Sequence, residues 1–198
     1  MIQFINLNKE VPFQLFKEKY DEALNADQKS IEAISISSYN TEMQEVDSRF
    51  VNLKFVEDDK FIFFSNYNSP KSIAFRSHDQ ISALIYWSSI NVQIRMKARI
   101  QKTSEKYNNE YFKQRSLDKN ALAISSDQSA PILSFNQVIE KYNNVKKDRD
   151  LEKCPQHWGG FSFSPYEIEF WEGNSSRLNK RNFYKLIDNI WHHSILEP

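Results

Sequence analysis

RFVNLKFVEDDKFIFFSNYNSPK, residues 49–71, holds two β-prone runs, an acidic turn between them and the start of a helix. From Arg49 to Val56 the side chains alternate, which puts Arg49, Val51 and Leu53 on one face of a strand and Asn52 and Lys54 on the other. Lys60 to Ser65 is rich in aromatic residues, and Glu57-Asp58-Asp59 supplies turn chemistry, so the two runs predict an antiparallel hairpin. Ser69 and Pro70 then suit an N-cap and a first helical position, opening a short helix that ends near Ser77.

Upstream, Pro12 followed by FQLFKEKYDEALN spaces its apolar residues as an amphipathic helix does, and Ile31 to Ser37 alternates as a strand. Downstream, Ile81 to Trp87 and Val92 to Lys102 read as strands joined through Ser88 to Asn91. Asn108 to Ser125 reads as two short helices, SSDQSAP as a polar loop, and Ser134 to Lys147 as a helix with a basic last turn. After WGG, Phe161 to Ser164 and Tyr166 to Trp171 read as two strands, and Arg177 to Pro198 as a hairpin turning at Asp188-Asn189. No repeat or linker interrupts the chain. The expectation is one mainly β domain over 1–198, with seven or more strands and peripheral short helices that point to a β-barrel or an α+β fold. Within it, 1–28 is an N-terminal helical segment, 29–147 the barrel core and helices, and 158–198 the C-terminal strands that complete the site.

Composition narrows the function. Lysine plus arginine equals aspartate plus glutamate at 26 each, so no global field draws in nucleic acid or an anionic membrane. Fifteen Phe, nine Tyr and four Trp supply a core and surfaces on which a flat ligand stacks. The single cysteine, Cys154, excludes an intrachain disulfide and fits a reducing cytoplasm, and no run of apolar residues approaches a membrane span. Neither a P-loop nor GxGxxG occurs. The four histidines lack metal-ligand spacing, and no metal is expected. The cations of RFVNLK fit either a solvated edge strand or a binding surface, and FFSNYNSPK fits either a capped helix or a phosphate cradle in which Ser65 and Lys71 act together. Trp158 and Trp171, both beside glycines, read as core anchors at turns or as ligand platforms.

In order and spacing these pieces resemble the pyridoxine/pyridoxamine 5'-phosphate oxidase family along nearly the whole chain, from PFQLF to the final proline. RFVNLK, FFSNYNSPK, FWEG and RLNKR carry the resemblance most specifically; YFKQR, DQS and WGGF add to it. The resemblance implies a split antiparallel β-barrel that forms a homodimer and holds FMN in clefts built from both subunits. Carried over by position, Arg49, Ser65 and Lys71 would hold the FMN phosphate and neighbouring groups, with Val51, Leu53, Lys54 and Phe64 in flavin-contacting stretches. Gln93, Gln128, Ser129, Trp171 and Arg181 match the remaining flavin positions. Lys54, Tyr111 and Arg115, with Lys119 beside them, match the groups that bind the phosphate of a small phosphorylated pyridine substrate. Arg177 matches the catalytic arginine over the pyridine ring, and Asn179 stands at the second catalytic position. Dioxygen is the implied electron acceptor.

The chain departs from the family pattern at several positions. Pro70 replaces a phosphate-contacting arginine, Lys119 a serine, Asn179 the histidine of R-L-H-D-R with Lys180 after it, and Ile195 the arginine of the C-terminal R-L-A-P. These changes fall on the substrate side more than on the flavin side. Three readings follow: an oxidase of pyridoxine or pyridoxamine 5'-phosphate, a flavin-dependent oxidase of another substrate as in phenazine biosynthesis, and a non-catalytic protein binding flavin or pyridoxal phosphate.

Overall fold

The computed structural model describes every residue from Met1 to Pro198. In chain order the elements are β1 (Gln3–Ile5), α1 (Val11–Asn25), β2 (Ala33–Asn40), β3 (Glu45–Glu57), β4 (Lys60–Asn66), α2 (Pro70–Ser77), β5 (Gln80–Trp87) and β6 (Val92–Lys102), then α3 (Glu105–Gln114), α4 (Leu117–Ser125), α5 (Phe135–Asp148), β7 (Trp158–Glu172), β8 (Lys180–Ile187) and β9 (Ile190–Ile195). Antiparallel pairing runs β3-β2-β5-β6-β7-β4 and returns from β4 to β3, closing a six-stranded barrel. Strands β8 and β9 extend from β7 outside that ring, and β1 lies parallel against the end of β3. No helix is long and apolar enough to cross a membrane.

The antiparallel barrel expected from the sequence is present, and so is the hairpin of residues 49–71, which turns at Asp58 with a left-handed φ of 53°. The C-terminal hairpin turns at Asp188 and Asn189, whose φ values of 49° and 63° are those a two-residue hairpin loop requires. Three readings need correction. First, Phe161–Ser164 and Tyr166–Trp171 are halves of one strand, β7. Pro165 is tolerated inside it because β4 stops pairing at Phe163 and β8 starts at Glu167, so the residue without an N–H falls in the gap between partners. On the opposite edge the register against β6 shifts between Lys97 and Ala98, which leaves Tyr166 as the extra residue of a bulge.

Second, the alternation of β3 holds only to Leu53. Leu53 pairs with Phe63 but Phe55 pairs with Ile62, so Lys54 is the inserted residue of a bulge. Leu53 and Val56 point into the core, while Lys54 and Phe55 both line the outer side. Third, Ser69 begins α2 as expected but does not cap it: its hydroxyl donates to the Asn66 carbonyl.

The barrel interior is aromatic. Phe61 faces Phe163 and Phe63 faces Phe161 in the β4–β7 register, with ring centroids 5.3 and 5.7 Å apart. Such cross-strand aromatic pairs add about 0.2–1 kcal/mol each beyond the area they bury. Helix α1 presents Phe13, Phe16, Tyr20 and Ala23 on one stripe, and Phe16 meets Phe61 at 5.0 Å and Trp87 at 5.6 Å. The Trp87 indole nitrogen donates to the Ile31 carbonyl at 3.1 Å, which leaves no polar penalty at the centre. Phe163, 1% exposed, stacks in the middle of this assembly. Phe163→Ala should lower stability by about 3–5 kcal/mol in chemical denaturation, and an unchanged midpoint would contradict this account of the core.

Candidate functional site

The bulge at Lys54 and the end of β4 open one wall of a cleft of about 720 Å³ on the outside of the barrel. Helices α3 and α4 form the opposite wall, and the loop bearing Gln128 and Ser129 closes the end. Five cations line this cleft, namely Arg49, Lys54, Lys71, Arg115 and Lys119, and no aspartate or glutamate does. Lys71 is buried at the start of α2, and its Nζ donates to Ser69 Oγ at 3.1 Å and Gln128 Oε1 at 3.2 Å. Burial and the nearby charge of Arg49 push its pKa down to about 8. Gln128 Oε1 also accepts from Ser65 Oγ at 3.1 Å, so one amide draws Ser65 and Lys71 to the same point. The Arg49 guanidinium donates to Ile36 O and Ser38 Oγ, which fixes it against β2.

Rings form the other half of the surface. Phe64 stacks on Tyr111 at 3.9 Å and on Trp158 at 5.2 Å, and Arg115 lies over the Trp158 ring at 4.3 Å. Arg115 Nη2 donates to the Lys119 carbonyl, whereas its buried Nη1 has no partner. An unpaired, shielded guanidinium nitrogen among cations marks a place for an anion. Burial lowers the pKa of Arg115 and raises that of Tyr111, where the arginine charge opposes the rise.

Helix α3 is held in place by one buried amide. Asn108 Oδ1 accepts from Thr103 Oγ1 at 2.6 Å and from Gly160 N at 2.8 Å, while its Nδ2 donates to the Tyr67 hydroxyl at 3.0 Å. A methyl group on Gly159 would lie 2.2 Å from that hydroxyl, so the adjacent glycines let β7 approach the helix. Tyr111 and Arg115 follow Asn108 by three and seven residues, on the same face of the helix or at its end, and thereby reach the cleft.

The site residues expected from the sequence fall into two groups. Arg49, Val51, Lys54, Phe64, Ser65, Lys71, Tyr111, Arg115, Lys119, Gln128 and Ser129 line the cleft. Leu53 is fully buried in the barrel core and does not. Gln93, Trp171 and Arg181 form a row across β6, β7 and β8, away from the cleft of the same chain. Arg177 sits in the exposed loop before β8 with φ of 62°, and Asn179 Oδ1 accepts the Asn174 N–H at 3.0 Å within that loop. Ile195 is exposed on β9. Trp158 fits both readings offered for it: it is buried just after the turn that precedes β7, and it lines the cleft.

Residues 158–198 match a family model described as the pyridoxine 5'-phosphate oxidase C-terminal dimerisation region. A pyridoxine/pyridoxamine 5'-phosphate oxidase of a Nostoc species is 33% identical over 94% of this chain and 88% of its own. One from Legionella pneumophila is 34% identical over 94% and 87%. In fold, the chain is similar to PhzG from Burkholderia lata, solved with tetrahydrophenazine-1-carboxylic acid, at TM-score 0.87 and 23% identity over 94% of this chain and 92% of that one. It is also similar to a pyridoxamine 5'-phosphate oxidase-related, FMN binding protein from Nostoc punctiforme, at TM-score 0.78 and 11% identity over 96% and 99%.

The lowered pKa of Lys71 makes anion binding pH-dependent. Below about 8 the amine is already charged; above it, an anion must first draw a proton onto Lys71. Sulfate, whose charge is constant in this range, should therefore bind more weakly as pH rises past 8, by up to about tenfold per pH unit in calorimetric titration. An affinity flat from about pH 7 to about pH 9.5 would remove Lys71 from the anion site.

Proposed function

The chain belongs to the pyridoxine/pyridoxamine 5'-phosphate oxidase family, and on that footing we propose that it oxidises pyridoxine 5'-phosphate or pyridoxamine 5'-phosphate to pyridoxal 5'-phosphate, using FMN and dioxygen and releasing hydrogen peroxide. The observation that carries this reading is a cleft with five cations, no carboxylate and a wall of stacked rings. Arg49 and Lys71 adjoin each other, and Arg115 and Lys119 adjoin each other, so there is charge for two phosphates: one on the cofactor and one on the substrate. Each charge-assisted hydrogen bond contributes about 1.5–3 kcal/mol, so three on one phosphate support micromolar binding.

The donor set fits FMN. Arg49, Ser65 and Lys71 would hold its phosphate, and Gln128 with Ser129 would lie along it. Lys54, Tyr111, Arg115 and Lys119 would grip the substrate phosphate, while Phe64, Tyr111 and Trp158 exclude water from the ring surface. When bound, FMN supplies the redox chemistry, accepting a hydride from the substrate carbon and passing the electrons to dioxygen. The chain's own task is to hold the two ligands in register.

Gln93, Trp171, Arg177 and Arg181 are remote from the cleft of their own chain, and the dimerisation region spans the last three of them. We therefore read the active unit as a homodimer in which one copy's β6–β8 face completes the cleft of the other, with Arg177 over the substrate ring. A second reading, oxidation of a different substrate by the same cofactor, is favoured by Asn179. That side chain is not titratable, and its oxygen is engaged with Asn174. The cations beside Tyr111 favour the phosphorylated substrate.

Lys71→Ala should weaken FMN retention about tenfold or more, measured by flavin released on gel filtration. Arg177→Ala should keep its flavin yet lose aldehyde and peroxide production from both phosphates by about a hundredfold or more. Normal turnover by Arg177→Ala would rule out the role given to that arginine.

A further inference from the structure

Glu169 sits in the second half of β7, on the face that carries Trp171 and Glu167, yet is only 3% exposed. Its Oε1 accepts from Arg181 Nε at 2.8 Å, and its Oε2 accepts from Arg95 across the β6–β7 pair. Arg181 Nη1 donates to the Glu197 carbonyl at 2.8 Å, and the Leu196 N–H returns to the Arg181 carbonyl at 3.0 Å. The guanidinium is thus gripped on two sides, by a buried carboxylate and by the C-terminal backbone, while Nη2 makes no hydrogen bond within the chain.

We propose that Glu169 is a positioning residue for the cofactor site, holding the Arg181 guanidinium so that its free nitrogen points out of the β7–β8 face toward the flavin. The inference rests on the reading of Arg181 as a flavin contact.

Strand pairing alone does not call for this carboxylate. Arg181 is already placed by the backbone register opposite Trp171, and a buried ion pair is a poor source of stability because desolvation cancels most of its attraction. What such a pair does supply is orientation: a carboxylate on Nε and a carbonyl on Nη1 leave a planar guanidinium one way to face. Burial opposes the charge on Glu169, but hydrogen bonds from Arg181 and Arg95 overcome it and hold the carboxyl below its usual range, so the clamp is ionised near neutral pH. One rung along, Glu167 bridges Lys97 and Lys185 on the same face, but those lysines are about half exposed and neither stands at a flavin position. Glu167 is therefore the natural control.

The test is an FMN titration of the flavin-free full-length chain, read by flavin fluorescence, for Glu169→Gln, Arg181→Ala, the double variant and Glu167→Gln. Glu169→Gln should raise the Kd for FMN about tenfold, Glu167→Gln should leave it unchanged, and the double variant should bind no more weakly than Arg181→Ala alone. Glu169→Gln breaks a buried ion pair and should lower the thermal midpoint more than Glu167→Gln, so the titrations are made well below both midpoints. A wild-type Kd for Glu169→Gln, or losses that add in the double variant, would overturn the proposal while leaving the flavin reading intact. A wild-type Kd for Arg181→Ala would overturn both. If Glu169→Gln does not fold, Glu169→Asp keeps the charge but withdraws it by one methylene; a loss of about threefold or more is then expected, and wild-type affinity contradicts the proposal.

Discussion

One edge of a β-strand can pair with only one neighbour at a time, and β7 has two. Its first half takes β4 and closes the barrel; its second half takes β8 and carries the C-terminal hairpin away from it. The handover falls at Pro165, which lacks the N–H that a third stretch of pairing would need. From this division comes the arrangement of the site. Trp158, Gly159 and Gly160 at the start of the strand build the cleft and seat α3, whereas Glu169 and Trp171 near its end face away with Arg181. On the proposed reading, a single chain presents half of a site at each end of the same strand.

The cleft follows an electrostatic rule. Lys71 and Arg49 repel each other, relieved in part by the exposed Asp47 that pairs with Arg49, and Arg115 keeps a shielded nitrogen unpaired with no carboxylate in the lining. A bound anion would offset the cost of holding these charges together. Neighbouring groups keep the geometry ready: Gln128 gathers Ser65 and Lys71, Trp158 supports Arg115, and Asn108 locks the helix that carries Tyr111.

Much of this was legible from residues 49–71, because turn acids, an N-terminal Pro and β-prone aromatics are local signals. The same holds for the Asp188-Asn189 turn and for α1, whose stripe of Phe13, Phe16 and Tyr20 has a helical period. Features that depend on partners distant in sequence were not legible. The bulge at Lys54 exists only relative to the register of β4, and the continuity of β7 through Pro165 depends on where β4 and β8 stop and start. Strand β1 is too short to read without β3 beside it. Glu169 was hidden for a related reason: the arginines it contacts come from other elements. The first group of site residues converges in one cleft, whereas the second lies away from it on β6–β8 and the loop before β8.

That sharing is the central claim, and co-expression of two variants, one impaired in flavin retention and one in turnover, tests it most directly. Lys71→Ala spoils the cleft and Arg177→Ala spoils the face that would complete the partner's cleft. In a mixed two-fold dimer, one site carries both defects and the other carries neither. Assayed after gel filtration and without added FMN, mixed dimers should therefore show about half of the wild-type oxidase activity, against about a tenth or less in the Lys71→Ala parent and almost none in the Arg177→Ala parent. Mixed dimers as inactive as their parents would mean that Lys71 and Arg177 serve the same chain, which contradicts the shared site.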